Sequence, residues 1–186
     1  MPKIKHNDHP LVKVKKSGIH GYGGYARTKI SKKKRIIEYV GPQITKKQAA
    51  EALENGLNEY VFTLNDELDI DGSVDWNTAR YINHSCDPNC ESDIIDDHVW
   101  IIAIKSIGEG EELTYNYGYD LEDFQTRLCG CGAKNCMGYM VAEEDFKKVK
   151  TMIDLEQETK KMKKKSKKKW NQAFFILQPV MNTRYP

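Results

Sequence analysis

The run V-W-I-I-A-I-K-S-I from Val99 to Ile107 gives the strongest strand signal in the chain. It is β-branched and apolar enough to predict a largely buried strand. Shorter signals precede it. Leu11–Val14 alternates like a short strand, and Tyr25–Ile30 and Arg35–Val40 read as strands flanking the basic loop Ser31–Lys34. Tyr60–Leu64 and Leu68–Ile70 predict a hairpin around Asn65-Asp66. The glycines from Gly18 to Gly24 predict an irregular turn; Gly41-Pro42 and Gly108-Glu109-Gly110 end strands. Helical signals are few. Thr45 caps a predicted helix running to about Asn55, with Gly56 as its stop, and Trp76–Tyr81 predicts a short one. Glu143 to about Lys165 predicts a longer helix, with Phe146, Val149, Ile153 and Met162 approximating one face. There is no internal repeat. The pattern predicts a mainly β, β-rich α+β domain with a helical tail.

At 186 residues the chain has room for one sizeable core, or a core and a small appendage. No apolar run approaches the roughly 20 residues of a membrane span. The Met1–Lys16 start lacks the hydrophobic middle of a signal peptide. The expectation is a soluble protein kept inside a cell. The net charge of +2 conceals an asymmetry: Lys160–Lys169 holds eight lysines and no acid. Taking those eight from the 29 basic residues leaves 21 against 27 acidic, so the remaining body is about −6. An acidic body suits a basic peptide better than a nucleic acid. The lysine run itself has three readings: a nuclear localisation signal, a contact for nucleic-acid phosphates, or a solvated helix end. Trp170–Met181 is apolar but too short to span a membrane.

The five cysteines fall in two clusters. Cys129-x-Cys131-x4-Cys136 supplies three thiols within eight residues, spaced by glycines that let the backbone wrap a small ion. Tetrahedral zinc takes four ligands, so a fourth must come from elsewhere, and Cys86 is the best candidate; Cys90 reads as a small core residue. Cys86 lies in R-Y-I-N-H-S-C-D-P-N-C (Arg80–Cys90), where Asn83-His84 reads on its own as a structural hydrogen-bond hub. Gly21-Tyr22-Gly23-Gly24 is a turn or a place where a ligand lies against main chain; it lacks the strand–G-x-G-x-x-G–helix context of a dinucleotide fold. Tyr115, Tyr117 and Tyr119 alternate and so share one face of a strand, with Tyr60 and Phe62 at the same spacing. Such a face is either aromatic core or a sleeve for a lysine side chain.

In chain order, S-G-I-H-G-Y-G-G-Y-A (Ser17–Ala26), E-Y-V-G-P (Glu38–Pro42), Y-V-F (Tyr60–Phe62), R-Y-I-N-H-S-C-D-P-N-C, G-E-G-E-E-L-T-Y-N-Y (Gly108–Tyr117) and C-x-C-x4-C resemble the SET-domain protein lysine methyltransferases that carry a post-SET zinc motif. The resemblance spans roughly Leu11 to Gly138. It implies a SET domain over residues 11–120, after a lead-in at 1–10. A post-SET zinc segment at 121–142 and a helical, basic tail at 143–186 would follow. The implied fold is small β-sheets around a knot-like core, with E-L-T-Y-N-Y passing through a loop containing N-H-S-C, a rare exception to unthreaded topology. The implied cofactor is S-adenosylmethionine, lying against the backbone of Gly21–Tyr25. Asn83 and His84 would hold its amino-acid part, Arg80 would support the pocket, and Leu128-Cys129 would cover the adenine. The implied substrate is a lysine of a histone tail or other basic protein, which points to the nucleus. That lysine would enter a channel of Tyr60, Phe62, Tyr115, Tyr117 and Tyr119, with Tyr117 orienting amine and cofactor. Tyr115, two before the catalytic tyrosine, implies mono- or dimethylation. No cysteine precedes Cys86, so the cysteine-rich pre-SET cluster of some family members is absent.

Overall fold

The computed structural model describes residues 9–56, 60–122 and 124–176. The chain divides into two compact units, Met1–Glu143 and Glu144–Pro186. Among its described residues the first contains ten short strands in four small sheets: β1 (Val12–Lys16), β2 (Tyr22–Ala26), β3 (Arg35–Tyr39), β4 (Gln43–Thr45), β5 (Val61–Thr63), β6 (Leu68–Asp71), β7 (Asn83–His84), β8 (Cys90–Ile95), β9 (His98–Ala103) and β10 (Thr114–Tyr115). One helix, α1 (Lys46–Glu54), follows β4. It starts where the sequence predicts, on a reciprocal capping box between Thr45 and Gln48.

The strong apolar run becomes the middle strand of the sheet β3-β9-β8. Alternation turns Val99, Ile101 and Ala103 inward, where they join Val12, Ile30, Ile37, Ile82, Ile107 and Leu113 in one core. Each such buried aliphatic side chain contributes about 1.5–3 kcal/mol. The strand ends at Ala103, four residues before its predicted end, with one further bond from Ile104 N–H to Asn89 O, just before β8. Its partner β8 was not legible. The sequence C-E-S-D-I-I alternates polar residues outward, and the hairpin turns on Asp96-Asp97, both in the left-handed region at φ 53° and 61°. A two-residue turn of that kind joins right-twisted strands, and aspartate tolerates it.

Three other expectations shift. Tyr22–Ala26 is a strand, antiparallel to β1, where an irregular glycine turn was predicted up to Gly24. The predicted helix Trp76–Tyr81 is a single 3₁₀ turn, Thr78–Tyr81. The tyrosine alternation is strand only at Thr114–Tyr115. The hairpin β5–β6 is as predicted, with Asn65 Oδ1 accepting from the Glu67 and Leu68 N–H groups to fix its turn.

The arrangement that matters most for the site is the smallest. β7 and β10 pair in parallel over two residues, Asn83 with Thr114 and His84 with Tyr115. Asn89 locks the pair: its Nδ2 donates to Glu112 O (2.8 Å) and its Oδ1 accepts from Thr114 N (2.9 Å). Buried amide side chains used this way satisfy main-chain groups that a two-residue strand leaves open.

The second unit contains α2 (Phe146–Ile176), continuing past the predicted end near Lys165. Met162, predicted on an apolar face, is 64% exposed. No described helix is long and apolar enough to cross a membrane.

Candidate active site

Two cavities of the first unit share four lining residues, Tyr60, Arg80, Tyr117 and Tyr119. The first, about 320 Å³, is otherwise aromatic and small: Tyr39, Val61, Phe62, Thr63, Tyr115 and Gly118, with Asp120 among its lining residues. The second, about 410 Å³, adds His20, Gly21, Tyr22, Tyr81, Asn83, Thr126, Arg127, Leu128 and Met140. One is a tyrosine-walled slot; the other is a mixed polar and apolar cleft bearing two guanidinium groups.

The slot is built by ring contacts in sequence. Tyr39 packs on Phe62 (5.3 Å between centroids), Phe62 on Tyr115 (6.4 Å), Tyr115 on Tyr117 (4.9 Å) and Tyr117 on Tyr119 (6.1 Å). All the predicted channel residues are brought together. Tyr39 joins them unpredicted, because Gly72 leaves room for its ring and Tyr60 O accepts from its hydroxyl at 2.7 Å. Burial raises the phenol pKa of Tyr39, Tyr115 and Tyr117, with the neighbouring tyrosines adding to it. These hydroxyls therefore stay protonated at neutral pH and act as hydrogen-bond groups, not as phenolate bases. Tyr117 is fixed at both ends: its hydroxyl donates to Ile82 O (3.0 Å) and its N–H donates to His84 Nδ1 (3.2 Å).

That second bond sets the histidine tautomer. With Nδ1 accepting, the proton of the neutral ring lies on Nε2, which faces Cys86 Sγ at 3.4 Å. Burial lowers the His84 pKa to about 4, so the ring is neutral. Both ring nitrogens are engaged within the protein, and His84 does not line either cavity.

Asn83 does line the cleft, and its orientation is dictated by its surroundings. Its Nδ2 is within reach of three acceptors: Glu112 Oε1 (2.9 Å), Tyr22 O (3.0 Å) and His20 O (3.3 Å). The amide nitrogen is saturated, so what Asn83 offers a ligand is its carbonyl oxygen, an acceptor. The Glu112 carboxylate is the hub of this corner, also accepting from Ser17 Oγ (2.6 Å) and Tyr25 OH (2.8 Å). A Cβ on residue 23 would run into Glu112 Oε1, which is why Gly23 stands there; Gly24 packs closely on Ile82 and Val12. Of the predicted glycine cradle, Gly21 and Tyr22 line the cleft. Gly23 makes room for Glu112, Tyr25 bonds to it, and Gly24 packs against Ile82 and Val12. Glu112 itself went unread, since the second glutamate of G-E-G-E-E-L carries no local sign of its partners.

Arg80 and Arg127 bracket the cleft. The Arg80 guanidinium lies over the Tyr60 ring (5.4 Å) and donates to Tyr81 OH (3.0 Å) and Ser73 O. Arg127 lies over Tyr119 (4.6 Å). The Nε of each is buried without a hydrogen-bond partner among the described residues. Buried donors left open in this way suit an anionic or acceptor-rich ligand. Leu128 is 70% exposed at the edge of the cleft, and Cys129 does not line it.

The four predicted metal ligands also meet. The Sγ atoms of Cys86, Cys129, Cys131 and Cys136 all lie within 4.8 Å of one another, with Cys86 to Cys129 at 3.8 Å. A tetrahedral site with Zn–S of about 2.3 Å has sulfurs ~3.8 Å apart, so the donor set fits that ion in number, type and spacing. Hydrogen bonds hold the segment in this shape: Cys129 N donates to Gly138 O, Met140 N to Arg127 O, and Asn135 Nδ2 reaches across to Cys86 O (2.7 Å). Burial and the neighbouring thiols push the Cys86 thiol pKa up. At Cys131, burial opposes ionisation, yet the Cys86 and Ala133 N–H groups and the adjacent thiols bring it down to about 7. Cys90 is apart from the cluster and fully buried in the core, as predicted.

Residues 21–118 match the SET domain profile. The chain is 38% identical over 145 residues to histone-lysine N-methyltransferase trithorax of Drosophila virilis. It is 40% identical over 139 residues to histone-lysine N-methyltransferase 2D of Homo sapiens. It is also 40% identical over 136 residues to the "histone-lysine N-methyltransferase, H3 lysine-4 specific" of Saccharomyces cerevisiae. These matches take in 74%, 69% and 67% of this chain but 4%, 2% and 13% of those much longer proteins. The span 21–118 contains most of the tyrosine slot, the Asn83–Glu112 pair and the parallel β7–β10 pair, and the chain belongs to the SET-domain family.

Proposed function

We propose that this chain is a protein-lysine methyltransferase that moves a methyl group from S-adenosylmethionine to the side-chain amine of a lysine in a histone tail or other basic protein. The observation that carries the proposal is the wall shared by the two cavities, with Tyr117 in it. A lysine in the slot and a cofactor in the cleft meet there and nowhere else. S-adenosylmethionine, when bound, supplies a methyl group on a cationic sulfur.

The cleft has groups for each part of that molecule. The Asn83 carbonyl and the main chain of His20–Tyr22 suit an α-ammonium group. Arg80 and Arg127 suit a carboxylate, and Leu128, Met140 and the Tyr119 ring suit a flat purine. The slot performs the other half. A free lysine, pKa about 10.4, is neutral only ~0.04% of the time at pH 7, roughly 4–5 kcal/mol from the reactive form. An aromatic sleeve next to a second cation disfavours the ammonium twice, by desolvation and by like charge. The hydrogen of the Tyr117 hydroxyl is taken by Ile82 O, so its oxygen faces the slot as an acceptor that orients an amine N–H. Positioning is then the main catalytic contribution. Tyr115, buried in the same wall, keeps a hydroxyl where an extra methyl would need to turn, which favours mono- and dimethylation. The four cysteines hold one zinc ion that fastens the segment after Tyr119 against the cleft.

The Saccharomyces cerevisiae relative, named as H3 lysine-4 specific, makes the histone H3 tail around that lysine the first substrate to try. The experiment is incubation of the chain with methyl-labelled cofactor and separate core histones, read by peptide mass spectrometry. The expected result is methyl-lysine on at least one histone. A chain that binds the cofactor by calorimetry yet labels no basic protein overturns the proposal in favour of a silent SET module.

A further inference from the structure

We infer that the lysine segment of α2 docks on duplex DNA, lying in the major groove with its side chains on the phosphates of both walls. The segment is helical and every described side chain from Asp154 to Lys168 is exposed. Charge is sorted along the helix. In its first half lysines have carboxylates to pair with, as Lys148 does with Asp145, Lys150 with Asp154 and Lys160 with Glu156. From Lys161 on there is no acidic residue in α2, and the described lysines there make no ion pair with another described residue. Lys161/Lys165, Lys163/Lys167 and Lys164/Lys168 stand one turn apart, a spacing at which like charges oppose helix formation. Such a helix is relieved by an anionic partner and by nothing else in the described residues.

The density and arrangement of charge identify the partner. Ten helical residues rise ~15 Å, and duplex DNA carries one negative charge per ~1.7 Å of axis, about nine over that length. The segment holds eight lysines, of which Lys160 is paired with Glu156, so up to seven are offered to a partner. At 3.6 residues per turn Lys163 and Lys165 lie roughly 160° apart on the helix, so positive charge faces two opposite sides. A groove ~12 Å wide with phosphates on both walls meets that distribution; a flat anionic surface meets only one side of it. The remaining sector carries Met162, Ser166 and Trp170, in line with the exposed Met152 and Leu155 earlier in the helix, a narrow apolar stripe that faces away from the lysines. The deep, narrow major groove of duplex RNA does not admit a helix. Nothing here distinguishes base sequences, so binding is expected to be set by backbone charge alone.

The test uses the full chain and fluorescence anisotropy on a labelled 20-base-pair duplex, over KCl from about 50 to 200 mM. Binding is expected, equal for two unrelated sequences, with log K against log[KCl] falling at a slope of about −4 to −6. Replacing Lys163, Lys164, Lys167 and Lys168 by Gln is expected to flatten the slope by about 3–4 and weaken binding at least tenfold at ~100 mM. Methyl transfer to a free histone-tail peptide is expected to stay unchanged in that variant, which separates this inference from the proposed activity. No binding at ~50 mM KCl overturns it, as does equal binding by the four-fold variant. So does tighter lysine-dependent binding to phosphatidylserine vesicles or to duplex RNA than to the DNA.

Discussion

Glu112 Oε1 accepts from Asn83 Nδ2 at 2.9 Å, across the join between β7 and the segment entering β10. The bond decides which end of the Asn83 amide a ligand meets. Glu112→Ala removes it together with the Ser17 and Tyr25 bonds. Loss of a hydrogen-bonded charged group costs about 1.5–3 kcal/mol, a fall in Tm of roughly 3–12 °C for a chain of this size. S-adenosylhomocysteine affinity, measured by calorimetry, should fall by about tenfold or more in both Glu112→Ala and Asn83→Ala. An unchanged affinity in Asn83→Ala removes Asn83 from the proposed pocket.

Tyr117→Phe loses the hydroxyl that donates to Ile82 O while keeping the ring between Tyr115 and Tyr119. The fold and cofactor affinity should survive, and single-turnover methyl transfer should drop by about 10²-fold, the scale of a misplaced reacting group. Near wild-type turnover would refute the role given to this hydroxyl.

Tyr115→Phe is expected to act on how many methyl groups are added, not on whether any are. Removing a hydroxyl that holds a hydrogen bond or an ordered water frees space at about 1–3 kcal/mol, roughly tenfold or more in the later steps. A mass-spectrometric time course on one peptide measures it. Efficient trimethylation by the unaltered chain at low enzyme concentration contradicts the reading.

Elemental analysis of protein purified without chelator should give one zinc per chain. Cys86→Ser should lose the metal and the activity together, since Cys86 is the ligand that comes from beside β7. Cys90→Ser should keep its zinc, because that side chain lies in the core beside Asn89 Oδ1, apart from the four clustered thiols.

A pH-dependent contact lies away from the site. Glu38 Oε1 is 2.6 Å from His98 Nδ1, across the β3–β9 pair, and the hydrogen bond and charge of Glu38 raise the His98 pKa above its ordinary 6.5. The folded state therefore holds this proton more tightly than the unfolded chain. The contribution to stability is complete below the unfolded pKa and disappears as pH rises through the folded one. In an NMR titration His98 should read above 6.5, and Glu38→Gln should lower it.

The sequence was most legible where a motif carried its own geometry. The three thiols of C-x-C-x4-C demand a fourth, and Cys86 was found by that demand alone. The tyrosines were legible for the wrong local reason. Their alternation implied one long strand, whereas the strand stops at Tyr115 and ring packing brings Tyr117 and Tyr119 to the same wall. What stayed hidden were side chains defined by distant partners. Glu112 meets Ser17 from 95 positions away, and Arg127 is placed by the folding of the cysteine segment over Tyr119. His84 read first as a structural hub, and its two ring bonds have that character, although the family resemblance assigned it to the cofactor.

The parallel pairing of β7 with β10 has a consequence for how the protein is made. The two strands are two residues long and separated by the whole β8–β9 hairpin, so neither has a local partner to form against. Loop closure must precede any gain from the pairing, which places this region among slow, non-local contacts. On a ribosome, the chain through Asn83 and His84 emerges with its main-chain groups open and stays so until Thr114–Tyr115 follows. The wall that holds Tyr117 is thus a late product of synthesis. A chain truncated before Tyr117 should retain the β3-β9-β8 sheet but leave that wall unbuilt, exposing aggregation-prone edges in place of a partial site.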